Sequence, residues 1–424
     1  MTAHTASSTL RDDPLIDPAD ALAAARDHIV AAALTPSAGG RVGLELECHL
    51  IDLRRPGRRP EWDEVVAVAG SLPAMPSGSR VTLEPGGQIE LSTPPTDDVA
   101  SSVAALRADR QVLRDGLARA GFGAAPLGTD PARPVRRVNP SGRYVAMEQH
   151  FAAVDCADPG RAMMTGTAAL QVNLDAGPEA EWAQRLSLVA ALGPVLVAAS
   201  AGSPYLAGES SGWHSMRQQI WHGIDHGRSD PITPGSEPAQ AWASYALDAP
   251  VMLVRPADGG DDVHPVRQRV PFRDWLQGRA PIERRPTLAD LDYHLTTLFP
   301  PVRPRGYVEI RCLDALPDRW WPALATLTAV LLDDPDAAAA AAELTRPVVG
   351  AWEAAARDGL RDPAIAAAVR GCVDVALVHC PDELRPELTA LADLVAAGRT
   401  PSDELRERAD RVGPLRLLEE EAHA

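Results

Sequence analysis

The sequence predicts an α+β fold in which helices pack on a mainly antiparallel or mixed sheet. Segments that alternate apolar and polar residues, as half-buried strands do, occur repeatedly before Trp320. Helical segments of uneven length separate them, and turn residues flank several of them. From Trp320 onward the chain is alanine-rich and predicts helices, with breaks at Pro335, Pro363, Pro381 and Pro401. We therefore expect a helical C-terminal region beside a part that contains the sheet.

The composition excludes several classes of protein. The 424 residues carry a formal net charge of −17, spread along the chain, which argues against nucleic acid or an anionic membrane surface as a partner. The five cysteines form no CxxC pair and predict reduced thiols rather than a disulfide framework. The sequence has no uninterrupted apolar run of membrane-spanning length and no apolar signal core near its start. We expect a soluble, cytoplasmic protein.

Local patterns predict each element in turn. Residues 1–17 are small and polar and predict a flexible tail, and an aspartate then precedes the alanine-rich run of the first helix, over 17–34. The next elements are a strand over 41–53, a helix over 61–72, two strand pieces around a Pro-Gly-Gly bend within 79–95, and a helix over 97–121. The later elements are a strand over 165–177, a helix over 178–202, a short helix over 215–225, and strands over 249–256 and 305–316. Residues 143–153 carry no clear pattern.

Four of these strands place polar side chains at every second position, and therefore on one face each. The polar positions are Glu45 and Glu47 on the first strand, Glu84, Gln88 and Glu90 around the bend, Gln171 and Asn173 on the third strand, and Glu309 and Arg311 on the fourth. For a single strand the ordinary interpretation is a sheet face in contact with water. Five glutamates on three of these four strand segments are unusual, because Glu is depleted in strands. If the strands are neighbours, they form an acidic face that needs cations, and carboxylate oxygens favour Mg²⁺ or Mn²⁺ over Zn²⁺.

Several well-known motifs are missing. The sequence has no GxxxxGK[ST] phosphate-binding loop, no GxGxxG between a strand and a helix, and no GxSxG nucleophile turn. A bound nucleotide would have to be held through metal ions and arginines instead. Three histidines, His214, His222 and His226, lie close together in the sequence, but their spacing fits no standard zinc pattern. Cys48 and Cys312 each follow a polar strand motif, and we expect both to be small, buried packing residues.

Five motifs resemble the glutamate–cysteine ligases, in particular their plant-type and actinobacterial branch, which is related to the catalytic fold of glutamine synthetase. The motifs are "GLELE", "LEPGGQIELS", "MTGTAALQVNLD", "SMRQQIWHGIDHGRSD" and "YVEIRCLD", in this order between residues 40 and about 330. The resemblance implies a saddle-shaped antiparallel sheet that holds ATP, two or three magnesium ions and glutamate. It also implies that ATP phosphorylates the γ-carboxylate of glutamate and that the amine of cysteine then displaces phosphate. The product, γ-glutamylcysteine, would be used for ergothioneine.

The resemblance also implies a role for each matching residue. The metal ligands would be Glu45, Glu47, Glu84, Glu90 and Glu309. Arg311, with Glu309 beside it, would be catalytic and would hold the transferred phosphoryl group. The residues that bind substrate or nucleotide would be Gln171, Asn173, Arg217, Arg228 and Arg311. The expected partners are therefore small molecules, with no nucleic acid and no membrane.

We expect a catalytic domain over 18–330 and a helical region over 331–424 that packs on it. Three alternatives to a glutamate–cysteine ligase stay open. A related enzyme would join glutamate to a different amine, and a metal-dependent phosphohydrolase would use similar ligands without an amine. A magnesium-binding partner subunit without catalysis is less consistent with the intact set of five glutamates and Arg311.

Overall fold

A computed structural model describes residues 20–256 and 262–424, so the predicted tail over 1–17 lies outside the described residues. Its strands are β1 Val42–Asp52, β2 Arg80–Leu83, β3 Ile89–Ser92, β4 Phe122–Ala125, β5 Ala169–Leu174, β6 Tyr205–Leu206, β7 Glu209–Ser210, β8 Leu253–Val254, β9 His264–Pro265, β10 Val302–Pro304 and β11 Val308–Asp314. Within the described residues, seven strands form the main sheet in the order β10-β11-β5-β1-β3-β2, and β4 also pairs with β1. Each of these pairs is antiparallel, and β6-β7 and β8-β9 form two small ribbons.

Helices make up most of the remaining described structure. They are α1 Ala21–Ala33, α2 Trp62–Gly70, α3 Val99–Ala120, α4 Gly142–Ala153, α5 Ala157–Gly166, α6 Trp182–Ala199, α7 Met216–His222, α8 Pro238–Asp248, α9 Phe272–Leu276, α10 Leu288–Leu295, α11 Trp321–Asp333, α12 Pro335–Thr345, α13 Trp352–Asp358, α14 Pro363–His379, α15 Arg385–Ala396, α16 Pro401–Val412 and α17 Pro414–His423. The predicted α+β class, with a mainly antiparallel sheet and a helical C-terminal region, is confirmed. The unassigned segment 143–153 is helical, and the strand predicted over 249–256 shrinks to two residues.

The long strand β1 organises the sheet. Its first half pairs with β5 on one side and with β3 on the other, and its second half, from His49 to Asp52, pairs with β4. Leu44 and Leu46 are buried on the face that packs against helices. Because side chains alternate across a strand, Glu45 and Glu47 point to the opposite face. The strand therefore presents its acids on one side and anchors in the core with the other.

The core is continuous across the predicted domain boundary. One apolar cluster includes residues from Ala21 to Ala422, and α11 runs through the boundary at 330–331. The C-terminal helices also bond to the rest of the chain, since Ser402 N donates to Ala201 O and Ser215 N donates to Ala356 O. The C-terminal helices thus share one core with the rest of the chain, and the division into a catalytic domain and a helical region at residue 330 stays a prediction.

One described helical stretch, Glu179–Ala199, is long and apolar enough to cross a membrane by length and composition. However, 61% of its most apolar 18-residue stretch is buried inside the protein. It includes α6, the helix predicted to continue through Pro194, and Pro194 is itself buried. Core helices of soluble proteins have the same length and composition, so this stretch is weak support for a membrane span.

Candidate active site

The sheet brings the predicted polar side chains onto one face. On β1, Glu45 lies opposite Gln171 of β5, and Glu47 lies opposite Glu90 of β3. Residues that are far apart in the sequence thus become cross-strand neighbours. Two carboxylates directly opposite each other are destabilising unless a positive charge lies nearby. We call this surface, with Glu84 added from the turn beside it, the carboxylate face.

Neutral donors hold the two acids of β1 in position. Gln171 Nε2 donates to Glu45 Oε2 over 3.1 Å, and Asn173 Nδ2 donates to Glu45 Oε1 over 2.8 Å. The backbone N–H of Ala169 donates to Glu47 Oε2 over 2.9 Å. These bonds orient the carboxylates but bring no positive charge to them.

The carboxylates strongly affect one another's protonation. Burial, followed by the charges of Glu90 and Glu309, raises the pKa of Glu45 to about 7. Burial and the charge of Glu90 raise the pKa of Glu47 to about 7 as well. The pKa of Glu84 lies well above its usual value, mainly because of burial and again the charge of Glu90. In the absence of a cation the face therefore retains protons near neutral pH.

A tight turn between β2 and β3 positions Glu84. Glu84 N donates to Gln88 O over 2.9 Å, and Gly87 N donates to Glu84 O over 3.0 Å. Gly87 has a φ of +81°, a conformation that glycine adopts readily. A Cβ on Gly86 would lie 2.5 Å from the carbonyl oxygen of Thr165, so a larger side chain would clash with backbone there. Both glycines of the "EPGGQ" sequence are therefore required by the geometry of the turn: Gly87 by its positive φ and Gly86 by its close contact with Thr165.

Glu309 differs from the other glutamates because arginines already surround it. Its carboxylate accepts from Arg303 Nε over 2.6 Å and from Arg305 Nη1 over 3.2 Å, and Arg311 Nη1 lies 3.3 Å away. Burial alone would raise its pKa, but Arg311, Arg303 and Arg305 outweigh burial and hold the pKa at about 2. Glu309 is thus ionised and paired, and its role as a metal ligand stays a prediction.

Two arginines connect the carboxylate face to a neighbouring cavity. Arg311 Nη1 donates to Gln171 Oε1 over 2.6 Å, and Arg217 Nη2 donates to the carbonyl oxygen of Arg311 over 2.9 Å. Arg217 is only 3% exposed, and its Nε and Nη1 have no hydrogen-bond partner among the described residues. Its nearest carboxylate oxygen, on Asp314, lies 3.9 Å from Nη1. A buried guanidinium with free donors is suited to bind an anion.

Arg228 does not belong to the site, contrary to expectation. Its guanidinium is fully buried and bonds to Asp225 Oδ2 over 3.0 Å, to Thr297 O over 2.9 Å and to Pro250 O over 2.6 Å. All three of its nitrogens are thus engaged with the surrounding chain. Arg228 therefore anchors a loop inside the protein, and its guanidinium is not exposed to a substrate or a nucleotide.

Two cavities adjoin the carboxylate face. We call the first the aromatic cavity; its volume is about 310 Å³, and Trp213, Trp221, Phe299, Trp352, Arg217 and Arg311 are among the residues that line it. The second, which we call the arginine cavity, has a volume of about 510 Å³. Arg41, Arg80, Arg305, Tyr307, Glu45, Glu90 and Asn173 are among its lining residues. The carboxylate face therefore adjoins both the aromatic cavity, which has two arginines, and the larger arginine cavity, which has three arginines.

The donor set fits a hard divalent cation. Glu45, Glu47 and Glu90 lie on one face of paired strands, and with Glu84 from the adjoining turn they supply carboxylate oxygens, the ligands that Mg²⁺ prefers. Asn173 Oδ1 is buried beside them and has no hydrogen-bond partner among the described residues. Ions at these oxygens would also remove the repulsion that raises the pKa values of Glu45 and Glu47. The oxygen-only donor set therefore fits Mg²⁺, and the role of each glutamate as a ligand stays a prediction.

The three histidines and two cysteines noted in the sequence differ in their exposure to solvent. His214 is buried beside Thr400, whereas His222 and His226 are exposed near the aromatic cavity. Burial raises the pKa of the Cys48 thiol to about 11 and that of Cys312 to about 12, as expected for packing residues.

Sequence reasoning missed part of the site. Arg303 and Arg305 pair with Glu309 across the β10–β11 hairpin, where Arg303 lies directly opposite Glu309. The alternation of "VRPRGYVEIR" was an available signal for this pairing. Trp352, by contrast, lines the aromatic cavity from α13, and no local sequence pattern predicts that it lies there.

The chain matches the family described as Glutamate-cysteine ligase family 2 (GCS2) over residues 41–421. The glutamate–cysteine ligase EgtA of Mycolicibacterium smegmatis is 53% identical over 384 residues, which cover 90% of either chain. The EgtA of Mycobacterium tuberculosis is 47% identical over 413 residues, 96% of this chain and 95% of the relative. A chloroplastic glutamate–cysteine ligase of Arabidopsis thaliana is 30% identical over 72% of this chain and 58% of its own.

A solved structure has the same fold at low sequence identity. The glutamate–cysteine ligase of Francisella tularensis, crystallised in complex with AMP, superimposes with a TM-score of 0.56 at 12% identity. The match covers 92% of this chain and 88% of that one. At this identity the likeness establishes the fold alone.

Proposed function

The chain belongs to the glutamate–cysteine ligase family 2, and from this premise we propose that it joins L-glutamate to L-cysteine in an ATP-dependent reaction. The γ-carboxylate of glutamate takes the γ-phosphoryl group of ATP, which gives γ-glutamyl phosphate and ADP. The amine of cysteine then attacks the acyl carbon, and phosphate leaves. The amine loses a proton, and the product is γ-glutamylcysteine, destined for ergothioneine biosynthesis.

The observation that carries this proposal is the carboxylate face, where Glu45, Glu47 and Glu84 are largely removed from solvent and their pKa values are raised by burial and by the charge of Glu90. A carboxylate nucleophile and a triphosphate repel each other, so this reaction needs concentrated positive charge. Bound magnesium ions would supply that charge to the phosphates. Glu45, Glu47, Glu84 and Glu90 would hold them, with Asn173 Oδ1 as a further oxygen ligand.

Arg311 is placed to hold the transferred phosphoryl group. Its guanidinium is 16% exposed and lies between the carboxylate face and the aromatic cavity. Glu309 and Gln171 fix its orientation through contacts of 3.3 Å and 2.6 Å from Nη1. A planar fork that is already oriented can bind two phosphoryl oxygens without reorganisation during the reaction.

We assign ATP to the arginine cavity and the amino acids to the aromatic cavity. Arg41, Arg80 and Arg305 line the first beside Glu45 and Glu90, so they can bind phosphates next to the metal ligands. The second is largely apolar and contains the unpaired donors of Arg217, which suit an α-carboxylate. The γ-carboxylate and the γ-phosphate would then meet near Arg311.

A pair of variants tests the assignment of the cavities. Arg80→Ala should raise KM for ATP and leave KM for the amino acids nearly unchanged. Arg217→Lys should raise KM for an amino acid by about tenfold or more, because one point charge replaces a fork of donors. If both variants raised the same KM, the assignment to separate cavities would be wrong.

The activity is tested by measuring ADP release with glutamate alone, with cysteine alone and with both. A glutamate–cysteine ligase should release ADP fast only with both substrates, together with γ-glutamylcysteine. Faster release with histidine, glycine or ammonia in place of cysteine would favour a ligase for another amine. Release of phosphate without an amine would favour a phosphohydrolase.

The same proposal covers location and partners. The acidic net charge of −17 suits a protein that binds small molecules rather than nucleic acid or an anionic membrane. The five cysteines are buried and unpaired among the described residues, as expected in a reducing cytoplasm.

A further inference from the structure

Three ligand-bearing side chains converge at the end of α7, outside the carboxylate face. His222 is the last residue of α7, and His226 and Asp230 follow in the next loop. One possible ligand atom from each of the three lies within 4.8 Å of the other two. The two imidazole rings pack edge to face with centroids 5.1 Å apart, and His226 Nδ1 lies 3.1 Å from Asp230 Oδ1.

The loop that carries them is held in place. Gly227 has a φ of +92°, which turns the chain after His226, and its N–H donates to Asp230 Oδ2 over 3.1 Å. The next residue is Arg228, whose fully buried guanidinium ties the loop to Asp225 and to two backbone carbonyls. The histidines therefore stand on an anchored loop rather than on a freely moving one.

Two imidazoles and one carboxylate form a ligand set of a different kind from the oxygen-only carboxylate face. Imidazole nitrogen favours Zn²⁺ and other transition metals, whereas Mg²⁺ favours oxygen. Three protein ligands leave a coordination position for water or another molecule. The three ligand atoms already lie within 4.8 Å of one another, and both imidazole rings are exposed to solvent, so an ion can reach them.

We propose that His222, His226 and Asp230 bind a divalent transition-metal ion, with Zn²⁺ as the best fit. His222 and Asp230 also line the aromatic cavity, so the ion lies at the edge of that cavity. The spacing of the histidines in the sequence gives no standard zinc pattern, because the third ligand is an aspartate and His214 is buried elsewhere. The site stands on the positions of the three side chains and does not depend on the proposed reaction.

The test is Zn²⁺ titration of the full chain, without an affinity tag, in saturating Mg²⁺ and against a chromophoric chelator. Wild-type protein should bind one Zn²⁺ per chain, and the double variant His222→Ala/His226→Ala should bind it at least about tenfold more weakly. His264→Ala, which removes an exposed histidine on β9, is the matched control and should bind like wild type.

Binding of Co²⁺ gives a second readout, because its visible absorption reports nitrogen ligands and coordination number. The absorption should appear in wild type and in His264→Ala and be absent from the double variant. Circular dichroism without metal should be the same for all three, since the two histidines are exposed. Equal Zn²⁺ affinity in wild type and the double variant would overturn the site.

Discussion

At the scale of single residues, Glu45 and Glu47 combine two costs that a folded protein usually avoids. Both carboxylates are largely buried, and both face the charge of Glu90. Burying these two acids is not needed to hold β1 in place, because Leu44 and Leu46 already anchor the strand in the core. The costs are understandable if the acids serve to bind cations during the reaction.

Glu45→Gln should therefore remove most of the ligase activity and leave the fold intact. The amide keeps the shape of the side chain and removes one charged ligand, so we expect a loss of about 100-fold or more in kcat/KM. Any remaining activity should need a higher Mg²⁺ concentration. Glu209→Gln, at an exposed position on β7, is the matched control. Normal turnover of Glu45→Gln at ordinary Mg²⁺ would mean that the face only contacts solvent.

Arg311→Lys tests the phosphoryl role of this arginine. A sulfoximine analogue of glutamate that ATP can phosphorylate resembles the phosphorylated intermediate and should inhibit tightly and in an ATP-dependent way. Lysine supplies a point charge instead of a fork, so it should weaken the ATP-dependent inhibition much more than it weakens glutamate binding. Inhibition constants with and without ATP measure both effects. Full turnover by Arg311→Lys would refute this role.

Arg228 and Arg303 show why residue types alone did not define the site. Arg228 lies in the same motif as Arg217, yet its side chain is buried, because Asp225, Thr297 and Pro250 offer an acceptor to each of its three nitrogens. Arg303 reaches Glu309 because β10 pairs with β11. The contacts of both arginines depend on which segments of the chain fold next to each other. Local sequence patterns do not show which segments become neighbours.

At the scale of elements, the strands were predictable because each has two different faces. Alternation placed Glu45, Gln171 and Glu309 on polar faces correctly. The neighbour order of the strands was not predictable in this way, since antiparallel pairing can join any two of them. The helix α4 was missed because its residues mix apolar, charged and aromatic types without a clear period, and its buried side packs in a second apolar cluster.

The turn between β2 and β3 is the element with the sharpest steric requirement. Gly86→Ala would place a Cβ 2.5 Å from Thr165 O, so the turn or α5 must move. We expect a destabilisation of about 1–3 kcal/mol, together with weaker Mg²⁺ binding because Glu84 shifts. Gly70→Ala, where an added Cβ has no neighbour within 4 Å, is the control. Denaturant unfolding measures the stability, and unchanged stability of Gly86→Ala would contradict the close contact.

At the scale of the whole molecule, the helical C-terminal region lines part of the aromatic cavity as well as packing on the core. Trp352, Glu353 and Ala356 of α13 line the aromatic cavity together with residues of α7 and β11. The region over 331–424 was predicted only to pack on the catalytic part. Its contribution to the cavity arises from the continuous core, which long-range packing determines.

The protonation of the carboxylate face predicts how Mg²⁺ binding depends on pH. Glu45 and Glu47 have pKa values of about 7 in the folded protein against 4.5 as ordinary glutamates, so the folded protein holds extra protons between these values. Their contribution to stability is present below the lower value and is lost as pH rises towards 7. Because Mg²⁺ needs the ionised acids, its binding should release more protons at pH 6 than at pH 8.5, where Glu45 and Glu47 are already ionised.

Titration calorimetry in buffers of different ionisation enthalpy measures the released protons directly. The buried histidines, whose pKa values are lowered, also change stability with pH, but they do so with and without Mg²⁺. Glu309 does not contribute in this range because its pKa is about 2. The release should shrink in Glu45→Gln. Mg²⁺ affinity that is the same at pH 6 and pH 8.5 would contradict the assigned protonation.

The central claim is that the enzyme phosphorylates the γ-carboxylate of glutamate over the carboxylate face. The most direct test uses glutamate with oxygen-18 in that carboxylate and follows the label during turnover with ATP and cysteine. If γ-glutamyl phosphate forms, one labelled oxygen moves from each glutamate into the phosphate that is released. Phosphate that carries no label, while γ-glutamylcysteine forms at the normal rate, would contradict the claim.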